Sequence, residues 1–276
     1  MHHIEFELKS EDGLKFYAQG WQPDDKAKAV VCLIHGLGEH SGRYEHVGDY
    51  LNKNAYALLA FDLRGHGKSE GQRGHSPSYE AFYSDFDIFL KEVETQNHGL
   101  PLFLYGHSLG GNLVINYDLA KLPQVHGLIV TGPAFRPGFE PPPAKISLGK
   151  MMRKIWPTFS MNNEIDREAL SKDPEVVRAY NEDPLVHDRL SAQLGIDLLE
   201  YGVSALERAD ELQHDLLLMQ GGDDRLCSVQ ASSEFARKAT ERCDLKIWDG
   251  LYHEVHNEPE KEQVLSYMVN WLNGKL

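Results

Sequence analysis

Ser108 is the residue of this chain best placed to do chemistry. It lies in Gly106-His107-Ser108-Leu109-Gly110-Gly111, between the apolar run Leu102–Tyr105 and a segment of helical character, Asn112–Ile115. Gly-x-Ser-x-Gly between a strand and a helix is the pattern of a sharp turn that pushes a serine into a strained, exposed position. Gly106 and Gly110 are required there because a side chain would collide with neighbouring backbone. The helix that follows aims unpaired N–H groups and its dipole at any negative charge that develops beside the serine.

A serine hydroxyl is a poor nucleophile at neutral pH, so it needs a general base, and the base needs an orienting carboxylate. In this arrangement the acid and then the histidine follow the serine along the chain, on loops after late strands. Leu216–Met219 runs into Gly222-Asp223-Asp224-Arg225, and Leu245–Trp248 runs into Asp249-Gly250-Leu251-Tyr252-His253. Asp224 and His253 are therefore the expected acid and base. On spacing alone Asp223 is an equal candidate for the acid, Asp249 is a third, and His256 competes for the base. His253-Glu254-Val255-His256 is not the H-E-x-x-H zinc pattern, because its histidines are three apart. An oxyanion hole needs two backbone donors. The N–H of Leu109 supplies one, and the glycine-flanked loop His35-Gly36-Leu37-Gly38 after the strand Val30–Ile34 supplies the other through Leu37. His35 and His107, at strand ends, read as scaffold groups. Gly65-His66-Gly67-Lys68-Ser69 lacks the first glycine of a P-loop, since Asp62 stands there, and reads as a tight turn.

The elements that must position these residues follow from periodicity. Ile4, Phe6 and Leu8, then Leu14, Phe16 and Ala18, alternate with polar residues around Asp12-Gly13, which predicts an edge hairpin. Unalternated apolar runs at Val30–Ile34, Ala55–Phe61, Leu102–Tyr105 and Leu128–Val130 suit central parallel strands covered on both faces. Helical patterns fall between them, near 43–53, 78–96 and 109–121. This is an α/β chain with a mostly parallel central sheet flanked by helices. The alternation stops at Gly132-Pro133. Helical stretches near 145–155, 174–181 and 191–209 follow before the last two strands. The predicted organisation is a core of residues 1–135 and 211–276 interrupted by a helical cap at 136–210, over the sheet edge where ligands bind.

Composition narrows the function. The 276 residues carry a net charge of −14, which argues against a nucleic-acid partner. With 41% hydrophobic and 25% charged residues, the chain is ordinary for a globular protein. No apolar run reaches the roughly 20 residues of a membrane span, and Met1–Phe6 lacks the basic and apolar regions of a signal peptide. The three cysteines, Cys32, Cys227 and Cys243, are too scattered for a disulfide framework, so a reducing cytoplasm is expected. Cys227, three residues after Asp224, reads as a small buried thiol near the site.

Several segments together resemble one family, over nearly the whole chain and in order. They are His35-Gly36-Leu37-Gly38-Glu39-His40-Ser41-Gly42-Arg43-Tyr44, Asp62–Ser69, Gly106–Gly111, Gly222–Arg225, Tyr252–His256, and the stretches Asp173–Val177 and Tyr180–His187. The chain is similar to the monoacylglycerol lipases among the lysophospholipase-like α/β-hydrolases. The resemblance implies an α/β-hydrolase fold and a serine esterase that needs no metal or organic cofactor. It places the acid at Asp224 and supports Leu37 and Leu109 as oxyanion donors. It also assigns Glu39, Arg43 and His256 to the polar end that receives glycerol; a local salt bridge bracing the oxyanion loop is the other reading of these three. Asn112 departs from the small residue that relatives often carry there.

The expected substrate is a monoacylglycerol, cleaved through an acyl-enzyme. A lysophospholipid or another carboxylic ester is the alternative, and a non-catalytic binding protein of the same fold is the more distant one. Leu148, Met151, Met152, Ile155, Trp156, Phe159 and Met161 crowd the first half of the cap, the first four of them on one helical face. With the family, that face implies an acyl tunnel beneath the cap and transient peripheral contact with a membrane or micelle. Lys145, Lys150, Arg153 and Lys154 are placed to assist contact with anionic lipid. No obligatory protein partner is implied.

Overall fold

A computed structural model describes residues 2–276. Among the described residues ten strands occur in chain order: β1 (His2–Lys9), β2 (Lys15–Gln22), β3 (Ala29–Ile34), β4 (Tyr56–Phe61), β5 (Leu102–His107), β6 (Gly127–Thr131), β7 (Ser160–Asn162), β8 (Arg189–Ser191), β9 (Leu216–Gly221) and β10 (Cys243–Trp248). The helices are α1 (Glu45–Lys53), α2 (Tyr79–Gln96), α3 (Leu109–Lys121), α4 (Pro143–Ile155), α5 (Pro174–Glu182), α6 (Ala192–Glu207), α7 (Val229–Ala239) and α8 (Lys261–Asn273).

Eight strands form one sheet in the order β1-β2-β4-β3-β5-β6-β9-β10, parallel from β4 to β10. The β1–β2 hairpin joins antiparallel at one edge, as Asp12-Gly13 predicts. Central strands are buried along their whole length because both faces are covered. Alternate residues of β3 serve opposite layers. Val30, Cys32 and Ile34 pack with Phe82, Phe86 and Phe89 of α2 and Leu113 of α3. Ala29, Val31 and Leu33 pack with Val47 and Leu51 of α1 and Val264 and Met268 of α8.

Register explains where a site can form. Ile34 pairs with Gly106, His107 with Thr131, Thr131 with Met219, and Gly221 with Trp248. The carboxyl ends of β3, β5, β6, β9 and β10 therefore lie side by side, and the loops leaving them converge on one rim.

Two features between β6 and β9 differ from the expectation. β7 and β8 pair as a short antiparallel ribbon, where no strand is legible in the sequence. Three residues are too few to show a period. Helix α6 does not belong wholly to the segment over the rim. Its later residues Ala205 and Leu206 join the main core, Tyr201 stacks on Tyr79 with ring centroids 3.8 Å apart, and Tyr201 accepts a bond from Asn116 of α3. A methyl on Gly202 would lie 2.1 Å from the carbonyl oxygen of Phe135, so only glycine permits that approach.

Candidate active site

The turn between β5 and α3 holds Ser108 at φ +54°, ψ −114°. A non-glycine residue there is strained by roughly 1–3 kcal/mol and stays only because its surroundings over-determine it. Those surroundings are explicit. The Ser108 N–H donates to Thr131 O at 3.0 Å, and its carbonyl accepts from Asn112 and Ala134. A methyl on Gly106 would stand 2.4 Å from Gly110 O, and one on Gly110 would stand 2.0 Å from Ile34 O. The two expected glycines are thus fixed by backbone on both sides. Asn112 is an internal strut, its Nδ2 donating to Ala134 O at 2.7 Å while Tyr79 donates to its Oδ1.

Asp224 and His253 meet as expected, with His253 Nδ1 2.8 Å from Asp224 Oδ2, both buried. Asp224 Oδ1 accepts from the N–H groups of Leu226 and Cys227, and Oδ2 also accepts from Gln220 Nε2. Burial alone would raise the Asp224 pKa, but His253 and these donors outweigh it and hold the group ionised below its ordinary range. Burial lowers His253, yet the facing Asp224 carboxylate dominates and leaves it above the ordinary imidazole value. The rival acids Asp223 and Asp249 are exposed. His256, the rival base, stacks on Tyr44 with neither ring nitrogen partnered.

Ser108 and His253 line one cavity of about 540 Å³. The Ser108 hydroxyl lies against the Cys227 thiol and makes no hydrogen bond to His253 among the described residues. The donor atoms of Asp224, Cys227 and His253 lie within 4.8 Å of one another, the spacing of a metal site. Each Asp224 oxygen already accepts two bonds, and burial pushes the Cys227 thiol well up. That donor set suits a proton relay better than a cation.

Leu37 and Leu109 both line the cavity near Ser108. The loop carrying Leu37 is braced by Glu39, whose Oε1 accepts from the Gly36 N–H at 2.6 Å and from Tyr44 Oη at 2.8 Å. Arg43 Nη1 reaches Glu39 at 2.5 Å and Glu254 at 2.7 Å, and its Nη2 reaches Glu254 at 2.7 Å. Glu39 lines the cavity, but Arg43 and His256 do not; they stand behind that wall. Glu254, a cavity residue, escaped the sequence reading. The guanidinium and the other buried groups around it keep Glu254 ionised against the upward pull of burial. His35 Nε2 accepts from the Leu63 N–H, while His107, whose Nδ1 meets Thr131 Oγ1, also lines the cavity.

The remaining wall is mostly apolar, with Arg136, Lys145 and Glu164 at its edge. It includes Ile146, Leu148 and Met152 of α4, with Phe159 and Met161 beyond it and Leu198 of α6 opposite. On α4, Met151 and Ile155 are exposed, as is Trp156 just after it. Its basic residues are largely neutralised: Lys145 pairs with Glu164, Lys150 with Glu200, and Arg153 with Asp197 and Glu200.

A mostly parallel eight-stranded sheet with a nucleophile turn after β5, an acid after β9 and a histidine after β10 defines an α/β-hydrolase of the serine hydrolase class. The chain belongs to the family described as serine aminopeptidase, S33, whose model matches residues 25–260. It is 36% identical over 266 residues to a monoacylglycerol lipase of Mycolicibacterium smegmatis, covering 96% of this chain and 95% of that protein. It is 38% identical over 259 residues to an uncharacterised abhydrolase domain-containing protein of Dictyostelium discoideum, of whose length it spans 27%. The crystal structure of Paleococcus ferrophilus monoacylglycerol lipase superposes with a TM-score of 0.87 at 33% identity, covering 95% of this chain and 99% of that one. No helix among the described residues is long and apolar enough to cross a membrane.

Proposed function

We propose that this chain hydrolyses monoacylglycerols to a free fatty acid and glycerol. The observation that carries the reading is one cavity in which a strained serine and a histidine–aspartate pair open onto a long apolar wall. Ser108 Oγ attacks the ester carbonyl as His253 Nε2 takes its proton. Asp224 holds the Nδ1–H tautomer and stabilises the imidazolium. For this step the Ser108 hydroxyl leaves Cys227 and turns toward His253. The N–H groups of Leu37 and Leu109 receive the oxyanion. Collapse of the tetrahedral intermediate breaks the ester C–O bond, and glycerol leaves with the proton held by His253. Water, deprotonated by the same imidazole, then releases the acyl group from Ser108.

Residues 136–210 act as a cap whose inner face, from Ile146, Leu148 and Met152, houses the acyl chain. Its outer residues Met151, Ile155 and Trp156 touch the lipid surface that holds the substrate. Apolar contact drives that docking, since the nearby cations are mostly paired. The protein works in the cytoplasm as a peripheral visitor to membranes. Glu39, backed by Arg43 and His256, forms the polar end.

The test is a rate profile on purified protein across monoacylglycerols, lysophosphatidylcholine, short esters and peptide amides. Highest kcat/KM on a monoacylglycerol is expected. Preference for the lysophospholipid or an amide overturns the substrate assignment.

A further inference from the structure

The polar floor of the cavity is an ion triad with unequal charge. Two carboxylates, Glu39 and Glu254, share the single guanidinium of Arg43, and all three side chains are at least nine-tenths buried. Both acids are held ionised, chiefly by Arg43 working against burial. The neighbouring rings of His107 and His256 are pushed down by burial and stay neutral at pH 7. The floor therefore carries one uncompensated negative charge in a setting that screens it poorly. It adjoins the reaction centre: a methyl on Gly36 would touch both Glu39 Oε1, at 2.9 Å, and Ser108 Cβ, at 3.3 Å. Glu39 and Glu254 both face the cavity.

Among the described residues, no unpaired cation lines the cavity to meet an anionic substrate. Of the cations that line the cavity, Arg136 is paired with Glu234 and Lys145 with Glu164. Arg43 has spent its bidentate face on Glu254 and is covered by the Tyr180 ring, 4.7 Å away. His253 is the one group on the floor that gains positive charge, and its Nδ1 side faces Asp224.

We infer that the surplus carboxylate of the Glu39–Arg43–Glu254 triad selects the alcohol half of the ester by charge, admitting neutral or cationic alcohols and rejecting phosphate-bearing ones. Glu254 is then a specificity-determining residue of this site. The inference rests on the ester-hydrolase reading above and adds a charge rule to it.

The experiment compares esters of one acyl chain with glycerol, glycerol 3-phosphate and choline, using wild type, Glu254→Gln and Glu254→Asp. In wild type, kcat/KM for the phosphate ester is expected at least 100-fold below that for the glycerol ester, with the choline ester closer to glycerol. Glu254→Gln should raise the phosphate-to-glycerol ratio at least tenfold, while Glu254→Asp keeps the wild-type ratio. Labelling of Ser108 by a fluorophosphonate reports a competent nucleophile independently of the alcohol. A variant that labels normally but keeps the wild-type ratio after Glu254→Gln overturns the inference. If Glu254→Gln does not fold, the wild-type order alone decides, since equal rates on the phosphate and glycerol esters contradict it. Failure of long-chain monoacylglycerols in an enzyme that labels sinks the lipid reading instead, and the same three alcohols as butyrate esters still read the charge rule.

Discussion

The floor and the outer wall of the cavity are built on opposite principles. The floor, made by the loops after β3, β5, β9 and β10, is polar and locked: Glu39, Glu254, Asp224 and His253 are buried and multiply bonded. The wall contributed by α4 is mostly apolar and little buried, with no residue of that helix fully buried and Ile155 72% exposed. Chemistry needs donors and acceptors held within a few tenths of an ångström, and only a packed, low-dielectric setting supplies that. Accommodating an acyl chain needs area without direction, which flexible methionine and leucine side chains provide.

Substitutions in the two regions should therefore fail in different ways. The largest effect is expected at the relay: Asp224→Asn leaves the fold intact but removes the tautomer lock, lowering kcat by roughly 10⁴-fold. Steady-state kinetics on a soluble ester with a thermal melt check this; a loss below tenfold would break the picture of a locked floor. Next comes the ion triad. Arg43→Met strands two buried carboxylates, which should cost roughly 3–5 kcal/mol of stability in denaturant titration.

The pH profile sharpens the same contrast. With His253 as the proposed base, its pKa raised by Asp224, kcat/KM should rise with pH through a value above the ordinary imidazole range and be lost on the acid side. Stability follows a separate course. His107 and His187 are lowered to about 4 by burial, so the folded state keeps them neutral while the unfolded chain binds protons below about 6.5. Stability should therefore fall as pH drops from about 6.5 toward 4, as read by thermal melts across that window.

The smallest effect belongs to the wall. Ile155→Glu with Trp156→Glu should reduce turnover of monoacylglycerol in vesicles several-fold while leaving a soluble short ester and the melting temperature unchanged. Equal loss on both substrates would show that these residues support the fold rather than the lipid surface.

Legibility in the sequence follows the same division. The strand-to-helix turn at Ser108 and the parallel strands are legible because each is encoded locally, by glycines with no room for a side chain or by runs apolar on both faces. The choice among Asp223, Asp224 and Asp249 was not settled by spacing. Of the three, Asp224 is the one buried against His253, and burial depends on strand register. Glu254 was invisible because its partner Arg43 lies 211 residues away and the only local cue is its place between two histidines. The ribbon of β7 and β8 and the docking of α6 on α3 were missed for a related reason: three-residue strands carry no period, and one amphipathic helix does not announce which surface it covers.

The central claim is that Ser108 alone forms the acyl-enzyme. Wild-type protein quenched during turnover of a monoacylglycerol, or treated with a fluorophosphonate, should carry its adduct on the peptide containing Ser108, and Ser108→Ala should carry none. An adduct on another residue, or undiminished hydrolysis by Ser108→Ala, would contradict the account.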